Sequence, residues 1–242
     1  MQWPDFSQRS TADELMDDLA IDGPELTQAL HQLRWINRLL GGTYPTSEGV
    51  MRLWRASGRP ARLHVLDVGA GSGDHSRRLL SWADHEAIDI HITLLDIHPQ
   101  TCELAMQYYA NEPRISVQQG DLFSLKAGTA DIITAALVLH HIPDQQLGTA
   151  LLVLRQAARL GVVVNDLHRH AFAWCSIWML THLLSSNRMI RHDAQLSVLR
   201  GFQAADLRRL ARLPGLDGLC FRWRPMFRYL IIIPALFDMD LG

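Results

Sequence analysis

Three glycines, Gly69, Gly71 and Gly73, sit in the stretch VLDVGAGSGDH, after an apolar run and before a helix-like one. Glycines so placed let the backbone turn sharply and come close to a ligand. A dinucleotide fingerprint GxGxxG needs a third glycine at position 74, which is Asp74, or, counted from Gly71, at position 76, which is Ser76. An acid at a helix start repels a pyrophosphate, which seeks bare N–H groups there. The lysine of a Walker loop is absent too. The loop is therefore read as serving a ligand without phosphates.

Acids follow at regular places. Asp96 closes the apolar run IHITLLD, and Asp121 stands in QQGDLF. A carboxylate at the first position can accept both hydroxyls of a ribose, and one at the second can accept from an adenine amino group. Each alone is a weak signal, because strand ends often carry a capping Asp. Together they mark the carboxyl edge of an open α/β sheet, where such folds bind ligands.

Histidines offer proton chemistry. In LVLHHIPD, His140 or His141 can act as a general base, since imidazole titrates near neutral pH. Read as the end of a strand, the pair points opposite ways, so one ring faces the site. A positioning or packing role is the competing reading. His168, in NDLHRH, falls at the same rim. With no HExxH and no Cys/His pair at ligand spacing, no metal is expected.

The elements that must carry these residues alternate. HVLDV, IHITLLD, ISVQQGD, DIITAALVL and GVVVND read as strands, each but the last followed by a helix or turn, which implies right-handed crossovers and a parallel sheet. LDGLCFRW and FRYLIII are close enough to pair as a hairpin. The fold expected is an α/β, doubly wound, seven-stranded sheet, mostly parallel, with a C-terminal antiparallel hairpin. Before it come ADELMDDLA, PELTQALHQLRWINRLLGG and SEGVMRLWRA as helices. Residues 1–58 are read as an N-terminal helical lid and 59–242 as the ligand-binding domain, with a helical insertion at about 168–200.

Composition narrows the classes. The 242 residues, 48% hydrophobic and 20% charged, suit one elaborated globular domain. A net charge of -2 gives no electrostatic reason to expect a polyanion. Cys102, Cys175 and Cys220 form no CxxC pair, which fits a reducing, cytoplasmic setting. The run from Ala171 to Ser186 has no charged residue, but it is shorter than the ~20 residues a membrane helix needs. Phasing it as a helix puts Trp174 and Trp178 on one side, as the roof of a site for an apolar substrate. Plain core and membrane-surface contact are the alternatives. Trp223 and Phe227 of the hairpin turn are further wall candidates, and Arg191, His192 or Asp193 could supply polar contacts.

In this order, VLDVGAGSGDHS, LLDIHP, QQGDLF and DIITAALVLHHIPD resemble the class I S-adenosylmethionine-dependent methyltransferases, a Rossmann-like family. The small-molecule branch around the quinone-biosynthesis enzymes is the most similar. The segments ELMDD…INRLLGG and NDLHRH…RHDAQLSVLRGF resemble a bacterial subgroup linked with polyketide-type phenolic products. The resemblance implies S-adenosylmethionine as cofactor, with Asp67 and the loop Gly69, Ala70, Gly71 and Gly73 toward its methionine part. It implies Asp96 and Ile97 at the ribose, Asp121 and Leu122 at the adenine, and Ala136 near the amino group. Arg38 is a candidate partner for the cofactor's carboxylate. The expected activity is O-methylation of a phenol or enol, with C-methylation of a quinone-like ring next. A nucleic-acid base methyltransferase is disfavoured, because the Asn/Asp-Pro-Pro-aromatic box is replaced by LVLHHIPD. A non-enzymatic cofactor-binding module is the third reading. The partner expected is a hydrophobic small molecule, not nucleic acid, acting on a monomer or homodimer without a transmembrane segment.

Overall fold

Short apolar runs rich in Val and Ile cannot satisfy their backbone groups alone, so they pair, and the helices between them cover the two faces of the resulting sheet. A computed structural model describes residues 3–17 and 23–235, apart from the side chains of Leu33, Asn37, Arg38 and Leu39. The strands are β1 (Arg62–Val68), β2 (Asp89–Asp96), β3 (Ile115–Gln119), β4 (Ala130–Ala136), β5 (Ala158–Leu167), β6 (Cys220–Arg224) and β7 (Arg228–Pro234). They form one sheet in the order β3-β2-β1-β4-β5-β7-β6. All neighbours are parallel except β7, which runs antiparallel to both β5 and β6. The expected architecture is therefore the observed one.

The helices are α1 (Pro24–Leu39), α2 (Thr43–Ala56), α3 (Ser76–Glu86), α4 (Pro99–Tyr108), α5 (Asp144–Ala157), α6 (Ala171–Leu184), α7 (Arg188–Arg200) and α8 (Ala204–Leu210). One core joins α5 and α8 to the sheet through Leu147, Leu151, Leu154, Leu207 and Leu210. The opposite core includes Val50, Leu53 and Trp54 of α2, packed with Leu63, Val65, Val163 and Leu230 of the strands. So α2 belongs to the sheet's own core, whereas α1 packs on α7 through Leu26, Ala29, Ile36, Met189 and Ile190. Among the described residues of ADELMDDLA, only Leu15–Asp17 is helical, as a single 3-10 turn.

The strand order reverses between β1 and β4, so the loops after these strands diverge and leave a crevice at their carboxyl ends. The loop Gly69–Gly73, the turn after β4 and the end of β5 meet there. No described helix is long and apolar enough to cross a membrane.

Candidate functional site

The crevice holds a cavity of about 130 Å³, lined on the sheet side by Asp67, Gly69 to Ser72, Ala136, Leu137, Asn165 and Arg228. Asp74 and His75, at the start of α3, close one end; Leu30 and Arg34 of α1, with Gly42 and Thr43, roof it. Gly71 has φ +55°, and a Cβ there would enter open space on the cavity side. A ligand can therefore reach the backbone at that point. Gly73, with φ +69°, has no such room: a Cβ would stand 2.7 Å from Leu94 Cδ1. Its carbonyl accepts from the Tyr109 hydroxyl at 2.6 Å, which pins the loop to α4.

Two buried acceptors face this space with capacity to spare. Asp67 Oδ1 accepts from Thr134 Oγ1 at 2.8 Å, while its buried Oδ2 has no hydrogen-bond partner. Burial pushes the Asp67 carboxyl up, opposed by His75, whose Nε2 lies 3.4 Å away. Asn165 donates from Nδ2 to the Gly42 carbonyl at 2.7 Å and to Thr46 Oγ1 at 3.1 Å, and its Oδ1 is likewise unpartnered. A buried acceptor without a donor costs about 1–3 kcal/mol. A cationic ligand donating to both would recover that cost.

Asp96 organises the loop. Its Oδ2 accepts from the Gly71 N–H at 2.8 Å and its Oδ1 from the His98 N–H at 2.9 Å. Burial raises its pKa, with both backbone donors pulling the other way. Of the residues singled out in the sequence, Asp67, Gly69, Ala70, Gly71 and Ala136 line the cavity, while Gly73 and Asp96 stand behind it in and beside the loop. Ile97 is exposed beside Asp96. Asp121 is exposed and caps its own turn, accepting from the Phe123 N–H at 3.0 Å, with Leu122 buried behind it. Neither of these lines the cavity. The Arg38 side chain lies outside the described residues.

Sequence reasoning missed Arg34, one helical turn before Arg38. Its Nε pairs with Asp74 Oδ1 at 3.1 Å and its guanidinium lies over the Tyr108 ring, 4.1 Å from the centroid. The Tyr108 hydroxyl bonds His31 Nδ1 at 2.7 Å, a second tie between α4 and α1. Asn165 was missed as well, although it is the first polar residue after the apolar run Val162 to Val164, as Asp96 is after Leu94 and Leu95.

The histidine pair is differently placed from the strand-end reading. β4 stops at Ala136, Leu137 turns into the left-handed region at φ 60°, and Leu139–His141 is a 3-10 turn. The rings do not alternate; they lie side by side with centroids 4.1 Å apart. His140 is buried, with Nδ1 2.7 Å from Asp166 Oδ1 and Nε2 3.7 Å from Glu14 Oε1. His141 Nδ1 lies 2.6 Å from Asp17 Oδ1. Burial opposes charge on Asp166 and on His141, yet the contact with His140 lowers the Asp166 pKa, and Asp17 and Glu14 raise that of His141. Asp17, flanked by His141 and Arg200, is held at about 2 despite its burial. Neither ring lines the cavity.

The aromatic residues separate too. Trp174 is 8% exposed and packs with Ala173 and Val198, with Trp3 edge-on at 6.0 Å. Trp178, one turn on, faces outward at 37% exposure, stacked on His182. The two tryptophans thus do not share one wall: both lie on α6, but Trp174 is buried in the core and Trp178 is turned outward. Phe227 stacks on His170 at 5.4 Å, and His168 sits against Tyr229 at 5.0 Å. Trp223 is exposed on the edge strand β6. Arg191 donates to the Ser185 carbonyl at 2.7 Å, closing the end of α6, while His192 and Asp193 pair with each other at 2.7 Å. A larger open groove, about 770 Å³, runs along another face of α1 and reaches Trp35 and Leu184, but none of the strand-end residues line it.

Residues 65–161 match a family model described as a methyltransferase domain. No curated protein matches the chain. Among solved structures, a Methanococcus maripaludis protein provisionally described as an S-adenosylmethionine-dependent methyltransferase is 16% identical, with TM-score 0.61, over 90% of this chain and 98% of that one. Magnesium protoporphyrin IX methyltransferase from Synechocystis PCC 6803, with bound SAH, is 17% identical, with TM-score 0.54, over 91% and 92%. The C-methyltransferase domain of the citrinin polyketide synthase is 13% identical, with TM-score 0.54; the match covers 72% of this chain and spans less than half, 46%, of that one. At these identities the likeness is one of fold. Residues 65–161 form a methyltransferase domain within it, and the cofactor of such a domain is S-adenosylmethionine.

Proposed function

We propose, from the premise that this chain is an S-adenosylmethionine-dependent methyltransferase, that its acceptor is a hydrophobic or aromatic small molecule. A phenol or enol oxygen is the first choice and the carbon of a quinone-like ring the second. The observation that carries the reading is the cavity itself. It lies at the carboxyl ends of β1, β4 and β5 and is roofed by α1, which packs on α7 through apolar side chains. The resemblance to enzymes of quinone and polyketide-type phenolic products supports the same class.

The residues present fit the cofactor. Asp67 Oδ2 and Asn165 Oδ1 are buried acceptors suited to its ammonium group, Gly71 leaves room against the backbone, and Asp96 stands at the loop's outer end for the ribose hydroxyls. Arg34, which lines the cavity, is a candidate cation for the carboxylate alongside Arg38. When bound, the cofactor supplies an activated methyl group on its sulfonium. The chain's own work is then to align the acceptor and to exclude water. α1 does the second. A cavity of 130 Å³ is below the roughly 300–1,000 Å³ of ligand sites, so α1 lifts to admit the ligand and closes behind it. We therefore keep the lid for α1 and not for α2.

Proton removal has two readings. With no histidine of the 140–141 pair at the cavity wall, the acceptor reacts as an anion already formed, or as an electron-rich carbon. The alternative keeps His140 as base. It is favoured by Asp166, which fixes the Nδ1 proton and leaves Nε2 as acceptor, but Glu14 must first withdraw from Nε2. General-base catalysis contributes about 10²–10⁴ in rate, so a loss in kcat of that order in His140→Gln would select this alternative.

The test of the class is transfer from a methyl-deuterated cofactor to a panel of phenols, enols and quinols, with tRNA and duplex DNA alongside, read by mass spectrometry. Label in the nucleic acid and none in the panel would overturn the reading. A second expectation concerns Arg34. Arg34→Ala should weaken S-adenosylmethionine by roughly 1.5–3 kcal/mol, the range for bonds to a charged group. It should leave methylthioadenosine, which lacks the carboxylate, nearly unchanged; equal loss of both ligands would assign Arg34 to lid closure alone.

A further inference from the structure

We propose that Glu14, His140 and His141 bind a divalent transition-metal ion, zinc before others, which ties the N-terminal segment to the turn after β4. One nitrogen of each histidine and one carboxylate oxygen of Glu14 lie within 4.8 Å of one another. The measured pair, His140 Nε2 and Glu14 Oε1, is 3.7 Å apart. Ligand bonds of about 2.0–2.2 Å in a tetrahedron place ligand atoms about 3.3–3.6 Å apart, so this pair is close to ligand spacing and His141 would draw in toward it.

The surroundings are those of a ligand set. Metal-bound imidazoles almost always give their other nitrogen to a carboxylate or carbonyl, which fixes the ring. Asp166 Oδ1 does this for His140 at 2.7 Å, and Asp17 Oδ1 stands 2.6 Å from His141. Ser197 Oγ donates to Glu14 Oε1 at 2.8 Å and orients that carboxylate. Glu14 and His140 are only 4% and 3% exposed.

Charge points the same way. Glu14, Asp17 and Asp166 bring three carboxylates into one buried or half-buried patch. Arg200 pairs with Asp17 at 2.8 Å, and Arg228 interacts with Asp166. Arg9, the next arginine, is paired with Asp144. The carboxylates of this patch outnumber the arginines set against them, so the surroundings favour a cation. Imidazole and carboxylate donors suit zinc, iron, cobalt or nickel better than magnesium or calcium. The three ligands leave a fourth position for water.

The proposal is independent of the acceptor's identity, and it excludes His140 as base, because the ion takes the Nε2 lone pair. The test uses the full chain, freed of metal by chelator and titrated with Zn²⁺ by calorimetry and with Co²⁺ by visible absorption. One ion per chain and Co²⁺ bands of low-symmetry coordination are expected. Glu14→Gln and His141→Gln should each abolish the bands, and Asp166→Asn should weaken binding about 10–100-fold, as losses of such outer partners do. Circular dichroism shows whether each variant is folded, and His141→Gln, at a half-exposed position, serves if Glu14→Gln is not. No one-to-one binding by the wild-type chain, or binding that survives in a folded variant, would overturn the site. Methyl transfer by a chain that binds no ion would leave the proposed activity standing and remove this inference alone.

Discussion

Asp96→Ala should weaken S-adenosylmethionine binding by roughly 1–3 kcal/mol, about five- to 150-fold in Kd. Two losses add. The ribose hydroxyls lose an acceptor, and the N–H groups of Gly71 and His98 lose theirs, at 2.8 and 2.9 Å. The second loss loosens the glycine loop even without ligand. Asp96→Asn is no gentle control, because the amide nitrogen must face one of those two donors. Calorimetry with the wild type and Asp96→Ala checks the prediction. An unchanged Kd would remove Asp96 from the cofactor site, and binding of NAD in place of S-adenosylmethionine would overturn the ligand assignment.

Trp174→Ala should lower stability by about 3 kcal/mol, toward the lower end for deleting a buried tryptophan. Trp174 fills the space among Ala173, Val198 and Trp3, so its removal leaves a cavity under α6. Trp178→Ala should change stability by no more than about 0.5 kcal/mol, as surface substitutions do. Urea unfolding of both variants, with calorimetry for the cofactor, separates core from roof. If Trp174→Ala instead unfolded as the wild type does and raised KM for the acceptor, α6 would be a substrate wall as its phasing suggested.

What was legible was whatever is written in local pattern. Strand-end acids show because an apolar run stops on a polar residue, which is how Asp96 and Asp121 stand out. Asn165 carries the same signal, and an amide was passed over for its acid neighbours. Arg34, one turn before Arg38, is singled out only by the contacts of α1 with Asp74 and Tyr108, which no local pattern announces. The histidines were misread for a different reason. Alternation holds only while a strand continues, and Leu137 leaves it at a positive φ that its residue type does not announce. Glu14, Asp17 and Asp166 reach that turn from distant parts of the chain, so no spacing could have joined them.

The position of β7 bears on how the chain is made. Strand β5 carries the apolar run Val162, Val163 and Val164, and its partner on one side is β7, which is read out some sixty residues later. Until Ile231 to Ile233 have emerged, that edge of the growing sheet has bare N–H and C=O groups along an apolar strand, the form of edge that pairs with other chains. Expression should therefore be sensitive to events late in synthesis. Chains stopped between α8 and β7 should aggregate, whereas chains completed through Pro234 should stay in solution, and a supplied β7 peptide should rescue the shorter ones in part.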